Sequence, residues 1–128
     1  MTEFYYKDLC HKIIGICFDV YNEFDYGYRE KFYEDIIYDR FLENGITVKK
    51  QHLVKIKVSE KYYTSRKVDF LIGDKLLVEL KVGKKLTKKD FEQVNEYLIS
   101  LDLRLALLIL FSPNGVVIRR VVNDPKYK

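Results

Sequence analysis

The stretch that most constrains this chain is residues 67–82, Lys-Val-Asp-Phe-Leu-Ile-Gly-Asp-Lys-Leu-Leu-Val-Glu-Leu-Lys-Val. It reads as two short apolar strands joined at Gly73-Asp74, and both strands carry charge in their apolar centres: Asp69 in the first, Glu79 and Lys81 in the second. Charged side chains are rarely buried unless they are paired, so three of them here need a reason. Glu79 and Lys81 are two apart and share a face. Whether Asp69 joins them depends on register. A two-residue turn at Gly73-Asp74 would pair Asp69 with Val78 and send Glu79 to the other face. A three-residue loop, Gly73-Asp74-Lys75, pairs Ile72 with Leu76 and therefore sets Asp69 opposite Glu79. The three-residue register is the expected one, because it gathers all three charges.

Directly opposed carboxylates repel unless a cation lies between them. A hard cation takes oxygen ligands and keeps several waters, which suits two carboxylates and little else from the protein. Asp69 and Glu79 are thus expected to hold Mg²⁺, with Mn²⁺ as the alternative ion. Lys81 beside them would orient a water or stabilise charge developing on a phosphate. Hydrolysis of a phosphodiester is the reaction class these parts suit. The competing reading is an internal ion-pair cluster in which Lys81 neutralises one acid and leaves the other uncompensated, a costly arrangement in a sheet centre.

The flanking sequence supplies a scaffold of helices on a mixed sheet. Apolar residues at Leu9, Ile13, Ile16, Cys17, Val20 and Phe24 recur in steps of three and four, which predicts a helix over 5–23. A second helix is expected from Glu30 to Glu43, with Tyr33, Ile36, Ile37 and Phe41 inward and Asn44-Gly45 as its stop. Its early acids, Glu30 and Glu34, suit the positive end of a helix. Val54, Ile56 and Val58 alternate with lysines, as in a half-buried strand. Strands are further expected from Tyr62 to Ile72 and from Lys75 or Leu76 to Val82. Thr87 with Asp90 resembles a capping box ahead of a helix whose core face is Phe91, Val94, Leu98 and Leu101. Leu105–Phe111 is apolar without alternation, a strand covered on both faces. A last strand, 116–122, should lie near an edge, followed by a loose tail.

Asp, a gap, then Glu-x-Lys on adjacent strands resembles the active-site signature of the PD-(D/E)xK nuclease superfamily, and the order of elements is similar to its αβββαβ core. Gly27-Tyr28-Arg29-Glu30-Lys31-Phe32-Tyr33 fits the G-x-x-E-x-x-Y motif that names a family of small proteins assigned to that superfamily. Gly45-Ile46 and Leu86-Thr87 are also similar to that family. The resemblance implies an α/β, restriction-endonuclease-like fold over a single domain, 1–128. It implies that Glu30 is a further carboxylate of the metal site beside Asp69 and Glu79, and that Lys81 is the catalytic lysine. Gln93-Val94-Asn95-Glu96-Tyr97 matches the Q-x-x-x-Y helix motif of exonuclease-like branches, which adds Gln93 as a partner of the lysine or of a phosphate. Val68 replaces the superfamily's proline, and Phe24-Asp25-Tyr26 departs from the small, apolar approach to the glycine. A bland reading stands beside each of these: a helix-terminal acid at Glu30, a boundary stripe at Gln93 and Tyr97.

Lys84, Lys85, Lys88 and Lys89 follow the motif directly, and a net charge of +4 permits a polyanionic partner. These lysines, with Tyr97, are expected to touch nucleic acid, DNA in the first instance; the alternative is a solvated face. No apolar run approaches the roughly 18 residues of a membrane span, and the first residues lack the basic-then-apolar order of a signal peptide, so a cytoplasmic protein is expected. Cys10 and Cys17 lie seven apart on one helix, too far apart axially to bridge, and read as small core residues. Two function classes follow: a metal-dependent nuclease, or a non-catalytic nucleic-acid-binding or protein-interaction module on a nuclease fold. A homodimer is expected on the ground that so small a core needs a second subunit to grip a duplex.

Overall fold

A five-stranded mixed sheet organises the computed structural model, which describes residues 5–125. The elements run α1 (Lys7–Phe24), α2 (Glu30–Glu43), β1 (Val48–Val58), β2 (Lys61–Ile72), β3 (Leu76–Val82), α3 (Lys88–Leu101), β4 (Leu105–Ser112) and β5 (Gly115–Val122). The strands lie in sequence order, antiparallel throughout except for the parallel pair β3–β4. Parallel neighbours need a long crossover, and α3 supplies it.

Side-chain alternation divides the core into two layers. Phe70, Ile72, Leu76, Val78 and Leu80, with the odd-numbered residues of β4, pack against Ile13, Cys17 and Val20 of α1 and Tyr33, Ile37 and Phe41 of α2. Leu71, Leu77, Ala106 and Leu108 face the other way, against Val94, Tyr97 and Leu98 of α3. Every residue of β4 is therefore buried, as its unbroken apolar run requires. The α3 capping box forms as expected: Asp90 N–H donates to Thr87 Oγ1 at 3.3 Å and Thr87 N–H to Asp90 Oδ2 at 2.9 Å.

The alternation breaks at one place. Val68 belongs to the α3 layer, yet Phe70, two residues on, belongs to the α1/α2 layer. Residues two apart on a regular strand share a face, so β2 turns over at Asp69. The same inversion occurs in β1, where Val48 packs in the α1/α2 layer and Val54 in the α3 layer. Between them Gln51 takes φ 54°, a left-handed conformation that ordinary strands avoid.

One expectation fails at the C-terminus. Asn123 and Asp124 are buried rather than loose. Asn123 N–H donates to the Arg104 carbonyl at 2.9 Å and its Nδ2 to that of Leu103 at 3.0 Å, while Asp124 accepts from the Tyr5 hydroxyl. Polar composition suggested a tail, but the partners that anchor it lie far away in sequence. Positions 126–128 lie outside the described residues. Among the described residues no helix is long and apolar enough to cross a membrane.

Candidate active site

The β2–β3 hairpin closes through the three-residue loop. Ile72 pairs with Leu76, Leu71 with Leu77 and Phe70 with Val78, and Lys75 N–H donates to the Ile72 carbonyl at 3.1 Å. The next rung would be Asp69 with Glu79, and there the ladder stops. Each acid takes the backbone amide of the other strand instead. Asp69 N–H donates to Glu79 Oε1 at 2.7 Å, and Leu80 N–H donates to Asp69 Oδ2 at 2.8 Å. The side chains replace the missing ladder bonds, satisfy two buried amides and prop the strands into a fork. The other oxygen of each carboxylate is not used by these amides.

Helix α2 brings two more acids to the fork. Its approach bends at Gly27, whose φ of 134° disfavours any side chain. Tyr33, fully buried, donates its hydroxyl to the Asp25 carbonyl and accepts from Tyr28 N–H at 3.3 Å. The glycine and the tyrosine of the motif thus hold one loop from two sides and fix where the helix begins. Glu30 is in the first turn and Glu34 one turn further, on the same face. One carboxylate oxygen from each of Glu30, Glu34 and Asp69 lies within 4.8 Å of the other two.

Such crowding shows in the proton affinities. Burial, then a hydrogen bond and the charge of Asp69, push the Glu34 carboxyl up to about 9. Burial first and the Asp69 charge second raise Glu79, although the Asp69 amide and Lys81 pull the other way. Glu30 is raised mainly by burial and then by Asp69, with Lys81 opposing. One ammonium therefore faces several carboxyls. The excess negative charge and the all-oxygen donor set fit a hard divalent cation, which three oxygens at this spacing can share.

Lys81 reaches the fork from β3. Its Nζ stands 4.0 Å from Asp90 Oδ1 and 3.5 Å from Gln93 Oε1, both on α3. Gln93 lies between two cations: its amide can turn the carbonyl to Lys81 or to the Arg66 guanidinium, whose Nε is then 3.2 Å away. The one carbonyl oxygen of Gln93 can serve only one of these cations at a time.

The fork thus gathers Glu30, Asp69, Glu79, Lys81 and Gln93 from four elements. Two participants were not expected in the site from sequence: Glu34, read only as an acid at the start of its helix, and Arg66. The spacing of Glu34 from Glu30, one helical turn, was the available signal; Arg66 had none, since only folding sets it against Gln93. Tyr97, expected to touch nucleic acid from beside the core face, lies in the core instead. It is only 2% exposed because it shares a face with Val94 and Leu98, so its ring packs in the core and offers no stacking surface. Burial and the nearby Glu79 charge raise its hydroxyl to about 12. Lys84, Lys85, Lys88 and Lys89 are all exposed. Lys88 pairs with Glu92 at 3.7 Å, whereas Lys89 lines a pocket with Arg66, Gln93 and Tyr97.

Comparison with known proteins places this geometry in a wider group. No curated protein matches the chain significantly. The crystal structure of SSO0001 superposes with a TM-score of 0.58 at 16% identity, covering 73% of this chain and 50% of that one. An alkaline exonuclease, LHK-Exo from Laribacter hongkongensis, superposes with a TM-score of 0.54 at 12% identity, covering 99% of this chain and 74% of that one. Likeness at such identities is one of fold, a restriction-endonuclease-like core, and the chain spans only half the length of SSO0001. The sequence itself matches the model of the PD-(D/E)XK nuclease superfamily over residues 7–121, from the start of α1 into β5, with every group of the fork inside the match. The chain belongs to the PD-(D/E)XK nuclease superfamily.

Proposed function

We propose that this protein is a Mg²⁺-dependent nuclease that hydrolyses phosphodiester bonds of DNA, in the G-x-x-E-x-x-Y branch of its superfamily. The observation that carries the reading is the fork itself: Glu30, Glu34 and Asp69 converge beside buried Glu79 and half-buried Lys81. Asp69, Glu79 and Glu30 would hold the ion, with Glu34 as a fourth donor. A divalent cation bound there supplies Lewis acidity toward the scissile phosphate and a more acidic water.

The remaining work falls to the chain. Asp69 and Glu79 are locked by backbone amides, so their other oxygens keep a fixed direction when substrate arrives. Lys81, held from α3 by Asp90 and Gln93, would place its ammonium on the attacking water or on the charge building at phosphorus. Gln93 would release one of its two cations to a phosphate oxygen. The exposed lysines 84, 85, 88 and 89 would form an outer rim for the backbone of the nucleic acid. A second copy of the chain completing the grip is part of this reading, and a monomeric mass by light scattering would remove that part.

The test is cleavage of single-stranded, double-stranded and branched DNA, with RNA in parallel, in Mg²⁺ or Mn²⁺ against chelator. Wild-type cleavage that vanishes in an Asp69→Asn/Glu79→Gln variant supports the reading. Equal cleavage by both proteins would point to contamination and sink it. No cleavage together with no metal binding by calorimetry would instead assign the chain to the non-catalytic binding class.

A further inference from the structure

Below the fork, β1 and β2 leave the sheet together. β3 pairs with β2 only over Phe70–Ile72, whereas β1 and β2 go on pairing from Leu53↔Lys67 to Val58↔Lys61. The stretch of about six residues on each strand extends roughly 20 Å. Val54 packs on α3 near its root. Beyond it the ribbon is exposed, with Tyr62 at 66%, Tyr63 at 55% and Val58 at 53%.

Charge is concentrated here. Positions 48–68 hold six lysines and Arg66 against Glu60 alone, a net +6; the whole chain carries +4, so all other residues together are net negative. Exposed pairs tie Lys49 to Asp74 at 3.2 Å and Lys57 to Glu60 at 3.8 Å, and such pairs are weak. Among the described residues no ion pair takes Lys55, Lys61 or Lys67. The register puts Lys55, Lys57, Tyr62 and Thr64 on one face and Ile56, Val58, Lys61 and Tyr63 on the other. Both faces therefore carry cations and an exposed aromatic ring.

We propose that this ribbon is a clamp for double-stranded nucleic acid, seated in a groove of the duplex and delivering its backbone to the fork. The ribbon's shape and its two-sided charge choose the duplex over a single strand. The major groove of B-form DNA admits a two-stranded β-ribbon and presents phosphates to both of its faces. A single strand is bound in a concave, one-sided track with stacked bases, which a projecting ribbon does not offer. The root of the ribbon is the site itself: Lys67 is two residues from Asp69, and Arg66 meets Gln93. The location rests on the nuclease reading, but the clamp can be tested without cleavage.

The experiment measures anisotropy of a labelled duplex and of one of its strands in chelator, at several salt concentrations. Wild type is compared with Lys55→Ala/Lys57→Ala/Lys61→Ala. Wild type should bind duplex more tightly than single strand. The triple variant should lose duplex affinity about 10-fold or more, and its log Kd against log salt slope should fall by about 2–3, at ~0.9 per phosphate contact. If it melts early by circular dichroism, Lys57→Gln and Lys61→Gln singly should each reduce the slope by ~0.9. Unchanged duplex affinity and slope in the ribbon variants, an equal loss on single strand, or no duplex preference in wild type would each overturn the clamp. Wild type that never cleaves DNA, beside ribbon variants that still lose duplex binding, would remove the nuclease reading and leave the clamp standing.

Discussion

The two hairpins that share β2 make opposite use of the same pairing. The β1–β2 hairpin is long and largely exposed, and it turns at Ser59 and Glu60, both at positive φ, 49° and 70°. The β2–β3 hairpin has only three regular pairs, yet Leu76, Leu77, Val78, Phe70, Leu71 and Ile72 are all buried in it. Length of ladder and depth of burial therefore run in opposite directions along one strand. Hydrogen-bonded pairing adds little net stability, whereas apolar burial adds about 25 cal/mol per Å². The short hairpin is the structural centre and the long one is free to project. Asp69 stands at the change, where β2 inverts its faces, and the acids gather there because the ladder is interrupted.

That contrast can be broken most directly at its joint. Asp69→Asn keeps an oxygen to accept the Leu80 amide but loses a charge from the acid cluster. Nuclease activity should fall roughly 10²–10³-fold, the scale of losing a preorganised electrostatic group, while the melting temperature stays near that of wild type. Retained activity would detach the fork from the chemistry.

The next largest effect separates the hairpins. Leu77→Ala, fully buried in the short one, should cost about 2–5 kcal/mol by chemical denaturation. Val58→Ala, half-exposed near the tip of the long one, should stay within about 0.5 kcal/mol. Comparable losses would mean that the ribbon is part of the core.

Proton linkage sharpens the joint further. Glu34 keeps its proton in the folded chain up to about 9, against an ordinary value of 4.5. Within that window the folded state binds more protons than the unfolded state, so stability without a cation falls as pH rises through it. A divalent cation competes with these protons and should raise the thermal midpoint more at the upper end of the window than at the lower. A midpoint that climbs with pH in chelator would contradict the crowding of the carboxyls.

Tyr33→Phe tests the smallest link. Losing the hydroxyl that joins Asp25 and Tyr28 should cost about 1 kcal/mol, on the scale of one hydrogen bond, and loosen the start of α2. A drop in activity larger than the stability change accounts for would show that this loop positions Glu30.

Much of this molecule is written in short-range pattern. Helical spacing located α1, α2 and α3, Thr87 and Asp90 marked a cap, and the gathering of three charges on one face chose the Gly73-Asp74-Lys75 register that brings Asp69 to Glu79. These features depend on residues within a turn or a rung of one another, so local geometry decides them. Tertiary packing decided the rest. The inversion of β2 at Asp69 lets one strand face α2 on one side of the acid and α3 on the other, and no pattern of apolar residues announces it. It is what brings Glu34 to Asp69, sets Arg66 against Gln93 and sends the lysines of β1 and β2 out on a ribbon. Tyr97 went inward and Asn123 was pinned for the same reason. Their partners are distant in sequence, and burial and hydrogen bonding are settled by what the fold places beside a residue, not by the residue alone.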